Sequence, residues 1–165
     1  MQAALPRNVK LTIEYDGSAY HGWQRQANAI TVQQVLEEAI AGLVGHPVTL
    51  HGSGRTDAGV HALGQVASFE THTTIPANRL HHAINTALPP DITVLRAEDV
   101  PATFHARFSA KGKTYCYTIL CRHVRPSIGR ERVHWLRRRL DVADMQQAAA
   151  LCVGEHDFAA FESES

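Results

Sequence analysis

Residues 9–15 alternate cleanly, with Val9, Leu11, Ile13 and Tyr15 set against Lys10, Thr12 and Glu14. That period of two is the mark of a strand with one buried face. An Asp16-Gly17 turn and a loop containing Tyr20 and Trp23 follow. The period then changes: Val32, Val35, Leu36, Ala39, Ile40 and Leu43 fall on one face of a helix. Thr31 and Gln34 have the spacing of a capping box at its start, and Gly45 and Pro47 stop it. Val48–Leu50 reads as a short strand entering a glycine-rich loop, and Gln65–Phe69 as another strand leaving it. Pro76 suits the first turn of a second helix that buries Leu80, Ala83, Ile84, Ala87 and Leu88. Pro89-Pro90 ends that helix, and Ile92–Leu95 supplies a further strand. The order β-α-β-β-α-β predicts an α+β, ferredoxin-like (RRM-like) sandwich over residues 1–102.

Beyond that boundary the pattern thins. Phe108–Cys121 reads as one long strand, and Asp141 caps a helix carrying Val142, Met145, Ala149 and Cys152. One strand and one helix are too little for an independent sheet, so residues 103–165 are expected to form an incomplete second α+β half.

Composition changes this picture little. The chain has 165 residues, 44% of them apolar and 19% charged, the profile of an ordinary soluble globule. It has no long apolar run and no signal-peptide pattern at its start, which points away from a membrane and toward the cytoplasm. Cys116, Cys121 and Cys152 form no CxxC pair and are expected to be reduced thiols, with Cys116 and Cys121 on opposite faces of the long strand. The 11 histidines are scattered without the spacing of a metal site, so no metal is expected.

Charge changes it more. The net charge is zero, yet from Phe104 to Leu140 there are ten Lys or Arg and one acid, Glu131. Arg122, Arg125 and the triplet Arg137, Arg138 and Arg139 dominate this block, and from Asp141 onward six acids stand with no Lys or Arg. Such a block suits the phosphates of a polyanion. A solvated arginine-rich loop is the competing reading.

Candidate chemistry concentrates in Gly52-Ser-Gly-Arg-Thr-Asp-Ala-Gly-Val-His-Ala-Leu-Gly-Gln65. Three glycines, Gly52, Gly54 and Gly59, surround Asp57 and favour a shaped loop over helix or strand. Arg55 and Asp57 are two apart, so in an extended segment both side chains leave on one face, the guanidinium aiming the carboxylate. The glycine spacing is wrong for a dinucleotide fingerprint, and the Gly-Lys-Ser/Thr ending of a P-loop is missing. No second acid lies nearby for paired-carboxylate chemistry. The plain alternative is an Asp whose side chain satisfies backbone amides in a tight turn.

The Gly54-Arg55-Thr56-Asp57-Ala58-Gly59-Val60-His61 core resembles the signature of the tRNA pseudouridine synthase A family, in which it carries the catalytic aspartate. Tyr15-Asp16-Gly17-Ser18-Ala19-Tyr20-His21-Gly22-Trp23-Gln24 is similar to a second family block. Thr31-Val32-Gln33, Lys113-Thr114-Tyr115 and Gly154-Glu155-His156-Asp157-Phe158 complete a collinear set across nearly the whole chain. Family members continue well past Ser165, so the resemblance implies that much of the C-terminal half of the fold is lacking. It also implies that the chain alone is weakly active or inactive.

The resemblance implies isomerisation of uridine to pseudouridine at tRNA positions 38–40, in the anticodon stem-loop. The uracil is detached from the sugar nitrogen linkage, turned, and rejoined through carbon. Nothing is gained or lost overall, so no cofactor is expected. Asp57 is implied as the catalytic carboxylate and nucleophile; attack on the sugar, attack on the base and proton removal all remain open. Tyr115 matches the tyrosine that packs on the target base, replacing stacking lost when the base leaves its stem. Arg55 is assigned to orienting Asp57 and admitting the flipped base, with a structural ion pair as its competitor. Tyr20, Trp23 and Gln24 are candidates for lining the cleft, with core or loop packing an equal alternative. Arg122, Arg125, Arg137, Arg138 and Arg139 would hold tRNA phosphates, and the full-length family works as a homodimer. A non-catalytic RNA-binding module is the alternative, since RNA-recognition motifs share the sandwich.

Overall fold

The computed structural model describes residues 5–161 and divides into two compact units, residues 1–114 and 115–165. In the first unit the elements are β1 (Arg7–Tyr15), α1 (Val32–Val44), β2 (His51–Gly52), β3 (Ala62–Thr71), α2 (Ala77–Asn85) and β4 (Ile92–Val100). The strands form one sheet in the order β2-β3-β1-β4, every neighbouring pair antiparallel. Strand β1 is central, with Leu11 opposite Ala67 on one side and Ala97 on the other. Its register shifts near the C-terminal end, between Ile13 and Tyr15 against β3 and between Thr12 and Ile13 against β4.

The alternation in β1 has the consequence that the sequence pattern demands. Val9, Leu11, Ile13 and Tyr15 are buried with Ala67 and Phe69 of β3 and Ile92, Val94 and Ala97 of β4. Val32, Leu36 and Ile40 of α1 and Leu80 and Ile84 of α2 enter the same core, so both helices cover this face of the sheet. On the opposite face, Asn8 donates to the carbonyls of Pro101 and Phe104, and the buried Ser68 hydroxyl accepts the Ala106 amide at 3.1 Å. These bonds lay the segment after β4 back across the sheet.

Helix α1 starts where expected, with the Thr31 hydroxyl accepting the Gln34 amide. The Gln34 side chain does not complete the capping box; it turns to Glu38 at 2.9 Å. Pro76 sits one position before α2, as its N-cap, and the helix buries Leu80 and Ile84 while Ala87 lies past its end. Strand β4 runs beyond the apolar stretch that predicts it, to Val100.

The predicted strand at Val48–Leu50 is displaced to His51–Gly52, for a definable reason. Leu50 is buried, but its N–H donates to Glu37 Oε1 (2.9 Å) and its carbonyl accepts from Gln33 Nε2 (3.1 Å). Helix side chains have taken the groups that a strand partner would use. Gln33 also donates to Glu37 Oε1, and Arg25 pairs with Glu37 Oε2, both at 2.9 Å. The buried carboxylate is thus fully satisfied, as a charge in a core has to be.

The second unit contains β5 (Ile119–Cys121) and β6 (His134–Leu136), a parallel pair, and α3 (Val142–Ala150). The long strand expected over Phe108–Cys121 is absent apart from β5. Residues 110–117 pair with no described strand, and Tyr115 and Tyr117 are 68% and 86% exposed. Alternation alone does not make a strand without a ladder partner and a surface to bury. Cys116 therefore lies outside any strand, and the opposite-face relation to Cys121 does not arise; all three cysteines are free and exposed. Asp141 caps α3 as expected, accepting the Ala143 and Asp144 amides. The helix ends before Cys152, and none of its residues is buried.

The polar core of the first unit makes its stability sensitive to single side chains and to pH. Glu37→Ala strands the buried Leu50 amide, takes one of two acceptors from Gln33 Nε2 and leaves Arg25 without its closest carboxylate, and should cost about 3 kcal/mol in urea unfolding. Glu38→Ala, at an exposed position, should cost less than about 1 kcal/mol. Burial, together with donation of the Tyr20 hydroxyl to Asp91 Oδ1 at 2.7 Å, holds the Tyr20 phenol well above its ordinary value of 10.0. Burial likewise raises Tyr15, partly offset by its bond to Thr56. Both phenols stay protonated in the folded state while the unfolded chain ionises. Their contribution is therefore complete below about pH 10 and is lost as pH rises through the folded-state values. Unfolding free energy should fall as pH rises above about 10, and Tyr20→Phe should flatten that fall.

Candidate active site

Asp57 sits in the loop between β2 and β3, and that loop is fastened to the one following β1 by a short series of bonds. Trp23 N–H donates to the Thr56 carbonyl (3.0 Å) and Gly59 N–H to the Tyr20 carbonyl (3.2 Å). The Tyr15 hydroxyl meets Thr56 Oγ1 at 2.8 Å. His61 Nδ1 lies 3.0 Å from Asp16 Oδ1 and 3.2 Å from the Gly17 amide. At Gly22 the backbone adopts φ +82°, and a Cβ would overlap the Thr56 carbonyl. Glycine is required there on both counts, because L residues disfavour that conformation and the two chains have no room for a side chain.

Residues on both sides of Asp57 are thus clamped while its side chain is left free. The residue is exposed, and among the described residues nothing hydrogen-bonds to its carboxylate or forms an ion pair with it. The turn-capping role would have shown backbone amides donating to Asp57. Instead, among the described residues, only its carbonyl is engaged, by the Val60 amide at 3.2 Å. Arg55 and Asp57 line the same open cavity of about 480 Å³, with His21, Gln24, Gln26, Thr56 and Ala58. No ion pair joins the two: the segment is held by loop contacts rather than as a strand, so two-residue spacing does not bring their charges together.

The other sequence candidates divide. Gln24 lines the cavity, whereas Tyr20 and Trp23 are 7% and 2% exposed and belong to the core. Trp23 acts through its backbone: its N–H holds Thr56, and its carbonyl accepts the Gln33 amide. His21 and Gln26 are cavity residues that sequence reasoning did not single out, though both flank Gln24 within the Tyr15–Gln24 block or just after it. Gln33 and Glu37 were missed as well, since they read as ordinary polar positions of a helix.

In the second unit Tyr115 is exposed and available to a planar partner. Arg122 spends its guanidinium on the carbonyls of Val124 and Arg125. Arg137 lies over the Trp135 ring, 5.1 Å from its centroid. Arg125, Arg138 and Arg139 are exposed and make no ion pair among the described residues. No described group of three His, Cys, Asp or Glu side chains has the arrangement of a metal site, and no described helix is long and apolar enough to cross a membrane.

Residues 11–109, which contain the two interlocked loops, match the protein family described as tRNA pseudouridine synthase. Curated relatives named tRNA pseudouridine synthase A are similar over most of the chain. That of Acetivibrio thermocellus is 51% identical over 157 residues, covering 95% of this chain and 64% of the relative. That of Citrifermentans bemidjiense is 52% identical, with 95% of this chain and 63% of the relative covered. A Clostridium perfringens protein, tRNA pseudouridine synthase A 2, is 47% identical over 156 residues, with 94% of this chain and 64% of the relative covered. The chain thus spans slightly less than two-thirds of the length of these relatives. On the match of its first unit and this similarity, the chain belongs to the tRNA pseudouridine synthase family.

Proposed function

We propose that this chain forms the Asp57-bearing part of an enzyme that isomerises uridine to pseudouridine in tRNA, at positions 38–40 of the anticodon stem-loop. The observation that carries this reading is the state of Asp57: an exposed carboxylate, without a partner among the described residues, on a loop whose neighbours are fixed by backbone bonds. Positioning a reactive group without quenching it is what a nucleophile requires. In the reaction the N1–C1′ bond breaks and a C5–C1′ bond forms; C5 gives up its proton and N1 acquires one. Asp57 acts as the nucleophile that supports this exchange and is released at its end.

Arg55, free of Asp57 in the structure, is assigned to drawing the flipped nucleotide into the cavity, where its charge complements the attached phosphate. Tyr115 offers the target base a stacking face. Arg125, Arg138 and Arg139, with Arg122 and Arg137 beside them, supply phosphate contacts. The strand order β2-β3-β1-β4, with a helix following β1 and β3, supports a ferredoxin-like sandwich for the first unit. A homodimeric, cytoplasmic enzyme accords with this reading. A second reading, an RNA-binding piece without turnover, is favoured by one observation: α3 buries none of its residues, so the second unit has little core of its own.

Release of tritium from tRNA labelled at uridine C5 tests the proposal. The chain alone should release tritium only slowly, and Asp57→Asn should reduce that rate by at least about a thousand-fold. Equal rates would overturn the assignment of Asp57. Binding of tRNA without release by the unaltered chain would select the second reading. The basic segment should give log Kobs against log salt a slope of about −3, and a slope near zero would remove the phosphate-binding role.

A further inference from the structure

The face of the sheet opposite the helices carries a stack of rings that the isomerisation does not use. His51, on β2, lies 4.7 Å from His105, centroid to centroid, with 33° between the planes. His105 in turn lies 4.6 Å from Phe108 at 36°. The Arg107 guanidinium carbon stands 5.6 Å from the Phe108 centroid. Phe108 is 77% exposed, a large apolar ring presented to solvent at the end of the stack.

The stack is built firmly. The Ala106 amide donates to the buried Ser68 hydroxyl, and Asn8 holds the Phe104 carbonyl. His105 closes a tight turn with Ser109, whose amide donates to the His105 carbonyl at 2.8 Å. Its Nδ1 accepts the Arg107 amide at 3.2 Å, which fixes the orientation of the ring. A ring fixed in this way presents a set of flat faces, which suits the stack to a flat heterocycle.

Its surroundings indicate which heterocycle. His51 is the residue immediately before Gly52, where the Asp57 loop begins. Lys113 lies against the opposite end of that loop's first turn, its ammonium occupying the space that a side chain at Gly54 would fill. Lys111 and Lys113 form no ion pair among the described residues, and the chain has no acid between Asp99 and Glu131. Aromatic faces interleaved with unpaired cations are the pattern that holds a single nucleic-acid strand: rings take bases, cations take phosphates.

We propose that His51, His105 and Phe108 form a stacking platform for an unpaired base of the RNA substrate, with Arg107 and Lys113 holding the adjoining phosphates. The platform would hold a base flanking the target nucleotide, not the target itself. This rests on the reading that the partner is RNA.

The test is fluorescence anisotropy of the full chain with a labelled oligouridylate, with an anticodon-arm hairpin and with a fully paired RNA duplex. Phe108→Ala and His105→Ala should each weaken binding of the first two about 5- to 100-fold and leave duplex binding unchanged. Phe108→Trp should preserve affinity, and the emission of the introduced indole should be quenched as single-stranded RNA is added. Alanine variants that bind as tightly as the wild type, or an introduced indole whose emission is indifferent to bound RNA, overturn the platform alone. No RNA binding by the wild-type chain overturns the platform and the proposed function together.

Discussion

The backbone clamp between residues 20–23 and 56–59 is the constraint on which the site depends. Two amide-to-carbonyl bonds, Trp23 to Thr56 and Gly59 to Tyr20, join loops that are far apart in sequence. Neither loop has regular structure to hold it, so each is ordered by the other. The clamp is anchored from below by buried rings: Tyr15 reaches Thr56, Tyr20 reaches Asp91, and Trp23 packs beside Tyr15 with centroids 6.0 Å apart. Core packing is thereby transmitted to the one carboxylate that faces the cavity.

A second network fixes the entrance to the same loop. Glu37 and Gln33 project from α1 and take the backbone of Leu50, two residues before Gly52. Arg25, two residues after Trp23, closes the circuit: its amide donates to Gln33 and its guanidinium pairs with Glu37. Both loops of the clamp are therefore tied to one helix. Buried hydrogen-bonded charge of this kind contributes little net stability compared with apolar packing, and its physical return is a fixed geometry. The cationic and aromatic residues on the opposite face of the sheet extend from that fixed loop, so the Asp57 loop is the meeting point of both surfaces.

Much of this was legible in the chain. Alternation in β1 and the helical periods of α1 and α2 determine which faces are buried, because burial of apolar surface dominates those elements. The element order of the first unit was readable for the same reason: local pattern carries it. Long-range satisfaction of polar groups was not readable. Nothing in the residues Gln33 and Glu37 announces that they will capture Leu50 and shift β2, and nothing in Arg55 and Asp57 reveals that loop contacts separate their charges. Tyr20 and Trp23 read equally well as cleft or core, and the core claims them. The second unit misled in the opposite direction, since residues 108–121 have the composition of a strand but only Ile119–Cys121 finds a partner.

The claim that the two loops form one clamped body is tested most directly by amide hydrogen exchange followed by NMR. The Trp23 and Gly59 amides should exchange only with opening of the first unit, at rates close to those of core amides in β1. The Asp57 amide, which has no partner among the described residues, should exchange far faster than either. Rapid exchange at Trp23 and Gly59, with β1 still protected, would contradict the account, because the loop bearing Asp57 would then move independently of the core.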